Sequence, residues 1–444
     1  MDLGRTLEAV GAGERSASFD VFASSLDREW IARALEATGT ATVRRRKLPA
    51  EQVVWVVIGM ALYRDRSIQE VVHHLDLVLP AATASGSGRA EATSSAVVQA
   101  RDRLGEAPLH CLFEQTAAQW AASSAEAHRW RGLSVYGIDG STLRIPDTPE
   151  NEQAFGRPGA SRGGEASYPQ LRLVALMVLR SHLLAGLALG PGSTGEVPLA
   201  EPLFDQLPDH SLTILDRGFL SYAPLHRLAT TGRERHWLIR AKSNLRWRTL
   251  QRLGPHDELV EIEPSRALRK AHPELPETLR ARVVHYQRKG FQPQTLLTSL
   301  LDPVAYPADE IAQLYHERWE LELGFDEIKT HTLEREETLR SRAPERVRQE
   351  VWGLAIAYNL VRLHMQRVAE QQEVAPSRIS FRHTLMLVRG FWQLTAWIAS
   401  PGKLPRRLED LHQETALLIL PPRRERRYPR AVKIKMSSYP RRRR

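Results

Sequence analysis

Cysteine is nearly absent: of 444 residues only Cys111 carries a thiol. A single thiol excludes an internal disulfide framework and any zinc site built from cysteines. Long apolar runs are missing too. A membrane-spanning helix needs about 20 mostly apolar residues in a row. The best candidates, Val53–Tyr63 and Leu354–Leu363, are too short or carry a charge, and read as buried helices. The opening stretch MDLGRTLEAVGAGERSASFD holds acids and no apolar segment of the kind a secretory signal requires. No GxxxxGKS/T loop occurs, which argues against ATP hydrolysis. The expectation is a cytoplasmic chain with no membrane partner.

What is abundant is positive charge, and it is unevenly placed. The formal net charge is +10. Eleven of the 62 Lys and Arg lie between Arg423 and Arg444, with the one acid Glu425, so the tail accounts for the whole excess. A neutral body with a basic tail points to a polyanionic partner, foremost nucleic acid; the plainer alternative is a solubilising tail. Hydrophobic residues make up 42%, enough for large cores, and the length suits two or three domains.

The first 110 residues read as helical: Ser25–Ala37 closed by Gly39, then the basic cluster Arg44–Lys47, Ala50–Tyr63 opened by Pro49, and Ile68–Leu77. Pro80–Ser95 is rich in Ala, Ser, Gly and Thr and reads as a loop. Helices follow at Ser95–Leu104 and Pro108–Ala122. A small basic helical bundle suits DNA binding as well as it suits plain packing. From about Leu133 the pattern changes. Ser134–Asp139, Leu171–Arg180 and Leu183–Leu189 are β runs, the last two joined as a hairpin through Ser181-His182. A helix at Val197–Gln206, a strand at Leu212–Asp216, a helix at Ser221–Thr230 and a strand at His236–Ala241 complete an α/β core with a mixed sheet. Residues 243–306 read as a β-rich insertion, with runs at Glu258–Ile262, Arg280–Tyr286 and Gln294–Leu300. One helix is expected from Pro307 to Lys329, then Val347–Val368 and Ser380–Ser400. The resulting division is 1–125 helical, 130–345 core, 346–422 C-terminal helices and 423–444 tail.

Asp139 and Asp216 each end a β run with glycine close behind. Acids at the carboxyl ends of strands in an open α/β sheet face the crevice where ligands bind, although either alone is most simply a turn residue. The expected helix carries a third acid. At about 100° per residue, Tyr315, Arg318, Glu322 and Lys329 fall within about 60° of one another and share one polar face. Such a face is also what a solvated stripe of ion pairs looks like. Two strand-end aspartates and a helical glutamate can hold two hard cations such as Mg²⁺, with Mn²⁺ as a substitute, for in-line phosphoryl displacement.

The spacing Tyr315-x2-Arg318-x3-Glu322-x6-Lys329 resembles the YREK signature of DDE transposases of the insertion-sequence-4 family. Asp139-Gly140-Ser141 followed by DTPEN (147–151) resembles the family's first-aspartate motif, ILDRGF (214–219) its second, and HWLIRAK (236–242) the strand after it. AVVQARDRLG (96–105) and the tail are similar too. Ser141 stands where the family commonly has Thr. The resemblance implies a ribonuclease H-like core with a β insertion before the glutamate helix. It implies Asp139, Asp216 and Glu322 as catalytic ligands of two metal ions, and Tyr315, Arg318 and Lys329 as DNA contacts, with Arg240 and Lys242 as further candidates. The implied partners are the terminal inverted repeats, target DNA and a second copy of the chain in a synaptic dimer, associated with the nucleoid. The implied reaction is nicking, hairpin formation and strand transfer. Trp247, Tyr286 and Phe291 are candidates to hold a flipped base. Two other expectations remain: a catalytically inactive repressor, and a structure-selective nuclease.

Overall fold

The computed structural model describes residues 26–41, 48–72, 93–158, 168–288, 291–334, 338–398 and 404–422. The Arg44–Lys47 cluster, most of the Pro80–Ser95 stretch and the basic tail lie outside them. The chain divides into two units. One holds the residues up to Trp130 with Ser134–Leu207 and Trp319–Leu420; the other holds Arg131–Leu133 and Pro208–Arg318.

In the first unit, α1 (Arg28–Ala37) starts at Asp27, whose side chain caps the Glu29 N–H, and Gly39 follows at φ +66°. Helix α2 (Ala50–Leu62) opens behind Pro49 and is buried on every side from Val53 onward, as its unbroken apolar sequence requires. Helix α3 (Ser94–Leu104) is capped by Thr93, and α4 (Ala107–Ala127) follows. Strand β1 (Ser134–Arg144) leads to α5 (Pro149–Phe155), then to β2 (Gln170–Val178) and β3 (Leu184–Pro191). The strands lie antiparallel in the order β3-β2-β1, with Gly137 opposite Met177 and Asp139 opposite Ala175. The expected hairpin is there, with His182 at φ +61° in its turn. Helix α6 (Glu196–Asp205) covers one face. A Cβ on Gly140, Gly186 or Gly190 would meet Glu196, Gln206 or Leu199 at 2.8 Å or less.

The second unit carries β4 (Ser211–Leu215), a 3₁₀ turn at Arg217–Phe219, α7 (Tyr222–Thr230) and β5 (Arg235–Arg240). The insertion follows as β6 (Arg248–Gly254), β7 (Asp257–Ile262), α8 (Arg266–Ala271), β8 (Leu279–Tyr286) and β9 (Gln294–Thr298), and α9 (Ala308–Tyr315) comes next. The strand order is β4-β5-β9-β8-β7-β6; β4 and β5 run parallel and the rest antiparallel. Strand β6 has no counterpart among the expected runs. Its residues are exposed on both faces, so it shows no apolar alternation. Arg282 is fully buried and forks onto Asp257 at 2.7 and 2.5 Å. It also donates to the Tyr306 carbonyl at 2.7 Å, which fastens the insertion to the segment before α9.

The helix expected from Pro307 to Lys329 is not one regular helix. Helix α9 tightens into a 3₁₀ turn at His316–Arg318, α10 spans Trp319–Asp326 in the first unit, and a π-helical turn covers Glu327–Thr332. Helices α11 (Pro344–Gln371), α12 (Phe381–Ile398) and α13 (Leu404–Ala416) complete the first unit. Helix α11 lies so close to α2 that a Cβ on Gly353 would come within 2.7 Å of Val57. Arg101, inside the AVVQARDRLG stretch, is buried and donates to Gln349 at 2.7 Å and Ser341 at 3.0 Å. That stretch therefore joins α3 to α11.

Candidate active site

Asp139 does not end its strand. Strand β1 continues five residues further, through half-buried Asp139–Thr142 to Arg144, and Gly140 is a close-packing glycine against Glu196 rather than a turn. The Asp139 carboxylate accepts the Gly140 N–H at 2.8 Å. Its direction follows from the pleat, because residues two apart in a strand share a face. Gly137 faces α10: a Cβ there would lie 2.8 Å from Leu321. Met177, opposite Gly137, faces the same helix, since a Cβ on Gly324 would lie 2.4 Å from it. Helix α10 thus rests on the Asp139 face of β1 through Leu321 and Gly324. Glu322 follows Leu321 directly and is half-buried.

In the second unit Asp216 follows β4, as expected, and opens the 3₁₀ turn; the Phe219 N–H donates to its carbonyl at 3.0 Å. Leu215 and Ile239 are register partners in the parallel pair, so Asp216 and Arg240 occupy the next positions along it. Tyr315 is buried at 8% exposure. Its phenol is pushed up to about 12 by burial first, with Arg318 opposing, Asp216 and Tyr286 adding and Arg240 opposing. The phenol therefore stays neutral at physiological pH under the charges of Arg318, Asp216 and Arg240. Tyr286 also meets His316 edge-on at 5.7 Å. Lys242, expected on DNA, donates to the Leu220 carbonyl at 3.1 Å.

The expectation that Tyr315, Arg318, Glu322 and Lys329 share one regular helical face is corrected. The 3₁₀ turn and the π turn change the rotation per residue between them. Tyr315 and Arg318 belong to the second unit, Glu322 and Lys329 to the first. Among the described residues, no three His, Cys, Asp or Glu side chains are grouped so as to hold an ion together. The donor chemistry nevertheless suits a hard divalent cation: three carboxylates and neither thiol nor imidazole in the set.

Residues 130–360 match the family described as "Transposase DDE domain", and residues 16–114 match "Insertion element 4 transposase N-terminal". The chain is 40% identical over 417 residues to the transposase InsG of insertion sequence element IS4 from Escherichia coli strain K12, covering 94% of this chain and 92% of that one. The chain belongs to the insertion element 4 family of DDE transposases. The putative transposase InsZ of the same organism is 38% identical over 229 residues, 51% of this chain and 73% of that one. The piggyBac transposase, in a cryo-EM synaptic complex with hairpin DNA, is 12% identical with a TM-score of 0.43, over 92% of this chain and 86% of that one.

This DDE transposase holds its acid-bearing helix with a buried polar cluster that the sequence reading missed. His182, in the hairpin turn, meets Glu320 at 2.8 Å and Glu327 at 3.3 Å. Arg362 donates to Glu327 at 3.0 Å, and the Tyr358 hydroxyl donates to it at 2.9 Å. Burial alone would raise the Glu327 carboxyl, but Arg362 and then His182 override it and hold it at about 2. The available signal was Arg362 itself, a lone charge at the end of the apolar run in α11.

The three aromatic candidates are differently placed. Tyr286 meets His316 edge-on. Trp247 lines a cavity of about 730 Å³ with Arg246 and Arg248 and lies 6.4 Å from His285. Phe291 closes a turn back to the Arg288 carbonyl at 3.0 Å. Among the described residues, no helix is long and apolar enough to cross a membrane.

Proposed function

We propose that this transposase binds the terminal inverted repeats of its element and moves it by cut-and-paste phosphoryl transfer on a ribonuclease H-like core. Asp139, Asp216 and Glu322 are the carboxylates that would hold two divalent ions, Mg²⁺ with Mn²⁺ as a substitute. The observation that carries this reading is the seating of α10 on the Asp139 face of β1, with Leu321 in the Gly137 notch. Bound ions would supply activation of the attacking oxygen and neutralisation of the leaving one.

The chain's own groups do the rest. Arg318, Arg240 and Lys329 offer cationic donors to backbone phosphates, and Lys242 keeps donors beyond the one given to Leu220. Tyr315 is a neutral hydroxyl that donates or accepts beside Asp216. The helices before residue 125 would read the repeats, and the basic tail would add affinity without sequence preference. Two chains on two ends would form the synaptic dimer.

The test is incubation of the purified chain with Mg²⁺ or Mn²⁺ and DNA bearing the element's own ends. The expected result is cleavage confined to the ends. Binding without any cleavage would favour a repressor. Cleavage of branched DNA regardless of end sequence would favour a structure-selective nuclease.

A further inference from the structure

A second cavity, of about 790 Å³, lies in the first unit where the π turn ends, lined by Thr330 and His331 beside Lys329. Four arginines converge on it: Arg64, Arg340, Arg382 and Arg389. Arg382, Leu385, Met386 and Arg389 recur at i, i+3, i+4 and i+7, so one stripe of α12 forms a wall. Arg382 and Met386 are exposed at its rim.

Among the described residues, the acids do not use up these donors. Arg64 is taken by Glu350 at 3.0 Å, and Arg389 gives Nη1 to Glu334 at 3.3 Å. Arg340 spends its terminal nitrogens on the carbonyls of Met60, Tyr63 and Arg66. Asp65 is the other acid of the lining. Three buried guanidinium nitrogens find no acceptor among the described residues: Nε of Arg340, and Nε and Nη2 of Arg389. Burial, and next the like charge of Arg64, lowers Arg340 to about 10. Buried N–H groups are almost always paired, so such a set marks a place where an acceptor belongs.

We propose that this cavity holds a phosphate of the DNA backbone, gripped by Arg389 and Arg340 with Arg382 at its entrance. Phosphate presents several acceptor oxygens and negative charge to the fork of a guanidinium, which matches the Nε and Nη2 pair of Arg389, left without an acceptor among the described residues. A strand held at Lys329 has Thr330 and the cavity as its next neighbours along the chain. The proposal rests on the reading of Lys329 as a DNA contact and adds a second anchor in the same unit.

The experiment measures Kd of the full-length chain for a duplex carrying the element's ends and for an unrelated duplex, over a series of salt concentrations. Wild type is compared with Arg382→Gln, Arg389→Gln and the charge-keeping Arg382→Lys and Arg389→Lys. In the expected result, Arg389→Gln weakens both duplexes alike and lowers the slope of log Kd against log salt by about 1, while Arg389→Lys restores it. Arg382→Gln, on the exposed rim, gives a loss in the same direction even where Arg389→Gln fails to fold. Unchanged slopes in both glutamine variants, with folding confirmed by thermal melting, overturn the proposal. So does an unchanged slope together with a wild-type melting rise in inorganic phosphate that Arg389→Gln loses, since the cavity would then serve a free anion. End cleavage is assayed alongside. Cleavage with unchanged slopes removes the cavity alone, whereas lowered slopes without any cleavage by the wild type remove the catalytic reading alone.

Discussion

Gly137 sets how closely the Glu322 helix can approach β1, because a Cβ there would stand 2.7 Å from Leu179 and 2.8 Å from Leu321. Gly137→Ala should cost about 1–3 kcal/mol through overpacking and should reduce cleavage, as measured by thermal melting and an end-cleavage assay. A variant with unaltered melting and cleavage would mean that the two leucines yield freely and that the notch does not position Glu322. The candidate carboxylates Asp139, Asp216 and Glu322 were singled out from motifs in the sequence. Their settings were less legible. Asp139 looked like a strand end because the apolar run stops at Ile138, yet the strand continues through half-buried polar residues that give no hydrophobic signal. Gly140 looked like a turn and is a packing contact, a distinction that only the neighbouring α6 can make.

At the level of elements, the π turn and the cluster around Glu327 fix the end of the acid-bearing helix. Arg362→Met would leave Glu327 buried without its cation and should cost about 3–5 kcal/mol, as breaking a buried pair does, read by denaturant unfolding. A loss under about 1 kcal/mol would show that His182 and Tyr358 suffice. The pH dependence has a definite sign. A carboxyl held at about 2 in the folded chain contributes fully above its ordinary range near pH 4.5, and that contribution is lost as pH falls toward 2. His364, half-buried with its ring 4.9 Å from that of His412, is lowered to about 3 by desolvation first and the charges of His412 and Arg367 next. It favours the fold above about pH 6.5 and destabilises it progressively below. Stability should therefore begin to fall below about pH 6.5 in the wild type and fall less in His364→Gln; parallel curves for the two would contradict the assignment. Element types were legible where apolar runs were long and bounded by turn or capping residues, as in α2, α4 and the β2–β3 hairpin. Strand β6 was not legible, being exposed on both faces. Helix α5 was overlooked although Thr148, Pro149 and Glu150 spell a helix start. The broken helix between Pro307 and Lys329 was invisible because uniform rotation is assumed whenever a face is counted from sequence.

For the whole molecule, charge is divided between a neutral body and a tail that carries the excess. Deleting residues 423–444 should weaken binding to any DNA and flatten its salt dependence; an unaltered slope would leave the tail as a solubility device. The two compact units are not contiguous in sequence. The helices before Trp130, strands β1–β3 and the helices after Trp319 cluster in one unit, and the insertion clusters with β4 and β5 in the other. Contacts such as Arg101 with Gln349 and Gly353 with Val57 hold α2 and α3 against α11 within that first unit. Sequence order alone carries no sign of such long-range pairs. The most direct test of the central claim is Glu322→Gln on DNA carrying the element's ends, with Mg²⁺ present and binding and cleavage measured on the same preparation. The claim requires cleavage to fall by at least about 100-fold while end affinity and melting temperature stay at wild-type values. Cleavage that persists, or binding and cleavage that decline together, would contradict it.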